Sequence, residues 1–491
     1  MRNKTRKTDS AIKAGELILT EQPFVFVLSS KEQGNRCDNC LEKVKVLKCS
    51  GCQFVHYCGR VCQRDAWGDH KWECANLKRI APKVIPDGAR IMAKIINRLN
   101  RGDGHTLRSF YSATSFRMWK DLMSRNYFCV ILLLVVFFFN LLRKRPLSMT
   151  ISVMAINSFM ILDIDMNSIG TGIYLASSIV DHSCNPNAVV TFDGKTISIR
   201  AIRDMTCLDW NQIRISYIDL MKTPYERQTE LLNNYYFLCQ CDRCMDENQI
   251  KYAHAAKCLN DNCDNPINIP WKANCQLVRK LENGKVNNTL QDGSSHEQNG
   301  VDEIQNGGHA NNEEINNKNG FNIGESTLDV VKCKECGTKF DEKHIETFVK
   351  AMEVTHGHLQ SMSGASVAYV DVCKYCLEKQ EGVLHPLNVM HAQTLDHAFD
   401  ALIQVQLWEK ACVYAEKLIP CFRFYYGDRN PLLGLLYLKY AKILLYKMDL
   451  NKALTHLKQA EKILKMTHGE KHPLYREQLV PLIQQAMIES N

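Results

Sequence analysis

Between residues 37 and 74 the chain spaces eight soft metal ligands in four short pairs: Cys37-x2-Cys40, Cys49-x2-Cys52, Cys58-x3-Cys62 and His70-x3-Cys74. A tight loop or one helical turn brings residues three or four apart together, so each pair can clamp one side of a tetrahedral ion. So short a stretch cannot surround a hydrophobic core, and the metal must supply the folding free energy. Sites with four protein ligands are closed, so the zinc expected here is structural. Trp67 and Trp72 flank His70 and are expected to keep water from it.

A second constellation follows. It comprises Asp181-His182-Ser183-Cys184-Asn185-Pro186-Asn187, then Ile213-Arg214-Ile215-Ser216-Tyr217, then Cys239-x-Cys241-x2-Cys244. The last three cysteines lack a fourth partner nearby, and Cys184 is the natural candidate. A zinc there would pin one loop onto the other, as a purely structural clip or as one wall of a substrate channel. Tyr217 by itself reads first as a buried strand tyrosine with its hydroxyl satisfied. Further on stand Cys258-x4-Cys263 and Cys333-x2-Cys336, the latter followed by Gly337 as in a zinc knuckle. Closing a long loop costs an entropy that grows slowly with length, so a fourth zinc at Cys258, Cys263, Cys333 and Cys336 is set against loosely placed thiols. Cys373-x2-Cys376 lies in a helical pattern without a partner pair and reads as two core residues.

The elements that must hold these groups are short. Residues 14–28 read as two strands broken at Pro23, and residues 78–125 as helical and mixed. Ile151–Leu162 reads as an apolar helix. Ala188–Phe192 and Ile197–Ile202 read as strands around a turn at Asp193-Gly194. Residues 284–327, rich in Asn, Gly and Glu, have too little apolar surface to offset ordering entropy and are expected to be disordered. Towards the end the chain repeats itself with a shift of 42: Leu407-Trp408-Glu409-Lys410-Ala411 returns as Asp449-Leu450-Asn451-Lys452-Ala453, and Gly427 and Pro431 return as Gly469 and Pro473. Helix pairs with a fixed period resemble tetratricopeptide-like stacking, which offers a partner a concave face or braces the rest of the chain.

At 491 residues the chain is long enough for several domains. Its 45 % hydrophobic and 23 % charged residues are ordinary for a globular protein. A net charge of +8 gives a weak preference for acidic surfaces and no strong nucleic-acid signal. No secretory h-region follows Met1, so a reducing compartment is expected, where the clustered cysteines among the 22 are zinc ligands and not disulfides. The apolar run Tyr127–Leu142, followed by Arg143-Lys144-Arg145, falls short of the roughly 20 residues that span a bilayer. It is expected to be a buried or aberrant segment.

The finger spacing, with Tyr57-Cys58 at its centre and a terminal His-x3-Cys, resembles the MYND zinc finger. That resemblance implies interleaved sites: Cys37, Cys40, Cys58 and Cys62 on one ion, and Cys49, Cys52, His70 and Cys74 on the other. The whole order of motifs resembles the SET-and-MYND (SMYD) protein-lysine methyltransferases over roughly 11–125, 146–245 and 355–485. The resemblance implies an α+β, multidomain fold: a SET β-fold split by the finger, a cysteine-rich post-SET segment and C-terminal tetratricopeptide-like helical repeats. The implied layout is an N-terminal part of SET (1–36), the finger (37–74), a helical insertion (75–149), the SET core (150–222), the post-SET segment (223–245), a linker (246–345) and the repeats (346–491).

The resemblance also implies S-adenosylmethionine as methyl donor. Asn157, Asp181, His182, Tyr217 and Phe237 fall where that family contacts it, and Ser178 and Tyr235 match more loosely. Tyr217 is the expected catalytic residue. The expected zinc ligands are the eight of the finger together with Cys184, Cys239, Cys241 and Cys244. Expected partners are a substrate lysine on a histone or other protein and a proline-rich peptide at the finger. A monomer is expected, resident in nucleus and cytoplasm. The chain departs from the family pattern at Asp181, where the family has Asn, at Asp209-Trp210-Asn211, where it has Gly-Glu-Glu, and in lacking an opening Gly-x-Gly-like turn. The alternative is a weak or inactive scaffold that binds partners through the finger and the repeats.

Overall fold

The computed structural model describes residues 10–83, 85–101, 156–271, 331–362 and 370–490. The expectations for residues 1–9, for 127–145 and for 284–327 lie outside the described residues. Among the described residues no helix is long and apolar enough to cross a membrane.

Two strands precede the finger, β1 (Leu17–Glu21) and β2 (Val25–Leu28), with Pro23 between them as expected. Both find their partners far along the chain. β1 pairs antiparallel with β9 (Thr196–Ala201), which also carries β8 (Ala188–Asp193). β2 pairs antiparallel with β6 (Ser168–Ile173), which also carries β5 (Ser158–Leu162). Along β9 the residues Ile197, Ile199 and Ala201 are fully buried while Thr196, Ser198 and Arg200 are half-buried, the period-two pattern of a strand with one face on a core. The β8–β9 hairpin turns at Asp193-Gly194, where Gly194 takes φ +55, a conformation glycine adopts without steric cost.

Residues 158–162 correct the helix expected over Ile151–Leu162: they form β5. The run is apolar enough for either state, and long-range pairing decides. Phe159 lies opposite Gly172 and Ile161 opposite Gly170. A Cβ on Gly170 would sit 2.6 Å from the carbonyl oxygen of Val27, so glycine is what lets β2 and β6 approach.

The finger consists of a short hairpin, β3 (Leu47–Lys48) and β4 (His56–Tyr57), and helix α1 (Arg60–Ile80). Helix α2 (Asp87–Asn100) packs between the finger and β2, burying Ile91 and Ile95 against Val25 and Val27. Further on, β7 (Asp181–His182) pairs in parallel with β10 (Arg214–Ile215). Helix α3 (Pro224–Tyr235) starts at Thr223, whose hydroxyl accepts from Glu226 N–H while the Glu226 carboxylate accepts from Thr223 N–H. It ends at Tyr236 in the left-handed region, φ +61. A short helix, α4 (Glu247–Ala253), follows.

The remainder is helical: α5 (Glu342–Met362), α6 (Val370–Gln380), α7 (Val389–Gln404), α8 (Trp408–Tyr426), α9 (Pro431–Tyr446), α10 (Leu450–Thr467) and α11 (Val480–Glu489), the last preceded by a wide turn over Leu474–Leu479. The 42-residue repeat places α8 in register with α10, and α9 with the Leu474–Leu479 turn and α11. Asn388, Asn430 and Asp449 cap α7, α9 and α10 with their side chains. Helix α9 is apolar except for Lys439 and Lys442, with Leu433, Leu435, Leu436, Leu438, Ile443 and Leu444 all buried, as suits a helix packed on several neighbours. The core around it continues through Met221 and Leu231 to Cys184, Cys239 and Cys244.

Candidate metal centres and cofactor site

In the finger the eight ligands gather as two separate quartets, Cys37, Cys40, Cys58, Cys62 and Cys49, Cys52, His70, Cys74, with the ligand atoms of each within 4.8 Å of one another. Three structural facts explain the grouping. The β3–β4 hairpin sets Cys49 and Cys52 on a turn that accepts the Gln53 N–H at the Cys49 carbonyl, 2.9 Å. Helix α1 projects Cys62 from its first turn and His70 and Cys74 from one face further along. Gly51 leaves the room: a Cβ there would lie 2.9 Å from Cys74 Sγ.

His70 Nε2 lies 3.4 Å from Cys49 Sγ and 3.6 Å from Cys52 Sγ. Its other nitrogen, Nδ1, meets Glu73 Oε1 at 3.2 Å. A carboxylate on one ring nitrogen fixes the tautomer and turns the other towards the metal position. Glu73 in turn holds the Arg90 guanidinium at 3.1 Å, and Arg90 reaches Asp38 at 3.1 Å, all three side chains being buried. Burial pushes the Glu73 carboxyl up, but the Lys94 ammonium and Arg90 outweigh it and hold it well below the usual carboxylate range. Burial also draws the Lys94 ammonium down, with Glu73 opposing. This network was not anticipated from the sequence. Its one signal was Glu73, placed one helical turn after His70.

The tryptophan expectation needs correcting. Trp67 does touch the His70 ring, with centroids 5.9 Å apart, but Trp67 and Trp72 each stay 47 % exposed. Helix α1 turns both outward, and buried Tyr57, 6.1 Å from the His70 ring, and Leu77 cover the site instead.

The fold brings the 184 loop beside the 239–244 loop: Cys184, Cys239, Cys241 and Cys244 form a third quartet within the same 4.8 Å limit, with Cys184 and Cys244 3.5 Å apart. His182 links it to a neighbouring aromatic group. Its Nδ1 accepts the Tyr217 N–H at 3.1 Å, so the proton sits on Nε2, which points at Cys184 Sγ, 3.2 Å away. Such an N–H donor stabilises a thiolate.

Around His182 stand the other residues singled out in the sequence. Its ring centroid lies 5.2 Å from that of Tyr217 and 6.0 Å from that of Phe237, and Tyr217 lies 4.9 Å from Tyr235. The Tyr217 hydroxyl donates to the Val180 carbonyl at 2.5 Å. Ser178 Oγ lies 3.4 Å from the carbonyl oxygen of buried Asn157. Asp181 stands at the rim, paired with Arg214 at 3.5 Å. Burial, with Glu230 nearby, pushes the Tyr235 hydroxyl pKa up, so it stays a neutral donor. His182, Tyr217, Tyr235 and Phe237 thus come from three stretches of chain into one aromatic group beside a cysteine quartet, with Asp181 next to His182 in sequence.

A residue that no motif announced anchors that neighbourhood. Glu21, on β1, is buried and accepts from Ala176 N–H at 3.0 Å, Ser177 N–H at 2.9 Å and Ser177 Oγ at 2.8 Å. Burial raises its pKa against these donors. It ties the stretch before the finger to the turn that carries Ser178. Cys258, Cys263, Cys333 and Cys336 also converge, and Cys373 and Cys376 are buried inside α6 as expected.

The sequence is similar to known proteins. The MYND finger family model matches residues 37–74. The chain is 24 % identical over 486 residues to the human protein named histone-lysine N-methyltransferase SMYD3, covering 96 % of this chain and 93 % of that one. It is 23 % identical over 482 residues to the Arabidopsis thaliana histone-lysine N-methyltransferase ASHR1, covering 94 % and 89 %. To the Bos taurus N-lysine methyltransferase SMYD2 it is 24 % identical over 475 residues, covering 94 % and 92 %. Finger, cysteine quartets and near-complete coverage of these relatives together support a place for the chain in the SET-and-MYND family.

Proposed function

We propose that the protein is an S-adenosylmethionine-dependent protein-lysine methyltransferase. The observation that carries this reading is the convergence of His182, Tyr217, Tyr235 and Phe237 beside the Cys184 quartet. In this reading β1, β2 and β5–β10 are a SET core split by the finger, and the C-terminal helices are tetratricopeptide-like repeats. The methyltransferases named among its relatives support the activity.

The residues present suit the cofactor: an aromatic patch, a buried asparagine and a histidine whose tautomer is fixed. Asn157, Ser178, Asp181, His182, Tyr217, Tyr235 and Phe237 would hold it, and when bound it supplies a methyl group activated on a sulfonium. The protein's own work is alignment and exclusion of water. With its proton committed to Val180, the Tyr217 oxygen acts towards other groups as an acceptor, able to orient an incoming amine or receive a weak C–H···O contact. Tyr235 and Phe237 give the amine apolar walls, and desolvation lowers a lysine pKa towards the neutral, nucleophilic form. The quartets at Cys37, at Cys49 and at Cys184 hold zinc in structural roles, the third fixing the loop that precedes Asn187 to the one that follows Phe237.

The scaffold reading has an observation of its own. A cavity of about 670 Å3 between α6, α7 and α8 is lined by Leu377, Leu395, Ala398 and Leu402 together with charges of both signs, Lys374, Lys417, Glu378 and Glu381, a surface suited to a protein segment. Asp181 also adds a negative charge at the cofactor rim. Residence in nucleus and cytoplasm belongs to the same proposal, and fractionation checks it.

Calorimetry with zinc-loaded protein tests the enzyme reading. Micromolar S-adenosylmethionine binding, lost in a Tyr235→Ala/Phe237→Ala variant, is the expected result. A well-folded wild type without binding overturns it and leaves the scaffold.

A further inference from the structure

Cys258 and Cys263 follow helix α4, while Cys333 and Cys336 precede helix α5, and residues 264–332 separate the two pairs in sequence. Yet the sulfurs meet. Cys258 Sγ lies 3.5 Å from Cys336 Sγ, Cys263 Sγ lies 3.7 Å from Cys333 Sγ, and all four lie within 4.8 Å of one another. A tetrahedron built on Zn–S bonds of about 2.3 Å has edges of about 3.8 Å. Two disulfides would instead draw the sulfurs into two pairs at about 2.05 Å.

The surroundings are built for charge on sulfur. Buried Asn265 donates its Nδ2–H to Cys333 Sγ at 3.4 Å, and the Thr338 hydroxyl lies 3.1 Å from Cys336 Sγ. The second pair sits on a tight knuckle: Gly337 N–H donates to the Cys333 carbonyl at 3.1 Å, Cys333 N–H donates to the Thr338 carbonyl at 2.8 Å, and Gly337 takes φ +73. Cys258, Cys263 and Cys333 are buried and Cys336 is exposed. The first pair sits on the Ala256 strand bridge, which joins Ile267 on one side and Leu384, just before α7, on the other.

We propose that Cys258, Cys263, Cys333 and Cys336 bind a fourth zinc ion, which joins the turn after α4 to the knuckle before α5, beside the bridge of Ala256 with Leu384. This site stands apart from the cofactor reading and does not depend on it. The finger and the Cys184 quartet account for three ions.

Elemental analysis of the full chain, purified without chelator, is expected to give four zinc per chain, with all cysteines recovered as thiols when the protein is denatured and alkylated. Cys336→Ser is expected to give three and Cys336→His to restore four, since imidazole can replace a thiolate. Three zinc in the wild type overturns the proposal, as does recovery of these four cysteines as disulfides. Because the count is read on the wild type, a variant that fails to fold does not obscure the answer.

Discussion

Replacing Arg90 by methionine tests whether the finger is held by the charge network behind His70. The substitution keeps much of the side-chain volume but removes the fork that meets Asp38 and Glu73, each at 3.1 Å. Breaking a buried ion pair by deleting one partner costs about 3–5 kcal/mol, because the other charge is left in a dry site. Two features moderate this. Glu73 keeps Lys94 at 3.7 Å, and Asp38 keeps the His56 N–H at 2.8 Å. The lost contact of the guanidinium with the Phe54 ring, 5.5 Å away, adds about 0.5–1 kcal/mol. A net cost of about 3 kcal/mol follows, taken locally by α2 and the finger. If zinc leaves through that local opening, release should be roughly 10²-fold faster, at about 1.4 kcal/mol per decade. The assay is zinc release to a coloured chelator under native conditions, with the slower ions of the same chain as internal reference. Asp38→Asn added to Arg90→Met removes the stranded charge and should recover part of the loss. Release from Arg90→Met at the wild-type rate would refute the reasoning.

Gly434→Ala places a Cβ 2.9 Å from Leu464 and 3.1 Å from Ile463, side chains that can yield, so a thermal melt should show a cost of about 1–3 kcal/mol. Gly170→Ala meets the Val27 backbone at 2.6 Å and should cost more, with hydrogen exchange speeding up across β2 and β6. Burial holds His468 and His472 below the usual histidine range, with their rings 4.6 Å apart and Arg200 adding positive charge, while Asp193 and the Phe192 carbonyl partly oppose this at His472. Their unfolded forms bind protons below about pH 6.5, so stability present above that pH is lost as pH falls, by up to about 1.4 kcal/mol per unit for each. His472→Gln should shallow this slope in melts between pH 7 and pH 5. Cys373→Ser/Cys376→Ser should leave the zinc count unchanged, since these two lie in no quartet among the described residues.

The metal chemistry was legible because ligand spacing is local: Cys49-x2-Cys52 or Cys239-x-Cys241-x2-Cys244 announces itself within a few residues. The quartet of Cys258, Cys263, Cys333 and Cys336 could be posed for the same reason, although what brings its halves together lies in backbone bridges such as Ala256 with Leu384. The hairpin of β8 and β9, marked by its Asp193-Gly194 turn, could also be read, whereas β5 could not. Its apolar run carries no period, and its strand partner β6 lies outside its own stretch of residues. Glu21, Arg90 and His472 escaped because the groups they hold, Ala176 and Ser177, Asp38 and Glu73, and the Phe192 carbonyl, lie far from them in sequence.

The pairing of β1 with β9 and of β2 with β6 has a consequence for how the chain is made. Leu17 waits for Arg200 and Val25 for Ile173 before either strand has a partner. At about 5–20 residues per second on the ribosome, that wait is roughly ten to forty seconds. The finger lies between and needs only ligands from its own stretch. It can take up zinc while the two strands ahead of it are still bare edges. Metal supply during translation then sets whether those edges wait beside an ordered finger or a disordered one, so a cell short of zinc would lose this protein by aggregation of nascent chains as well as by instability of finished ones.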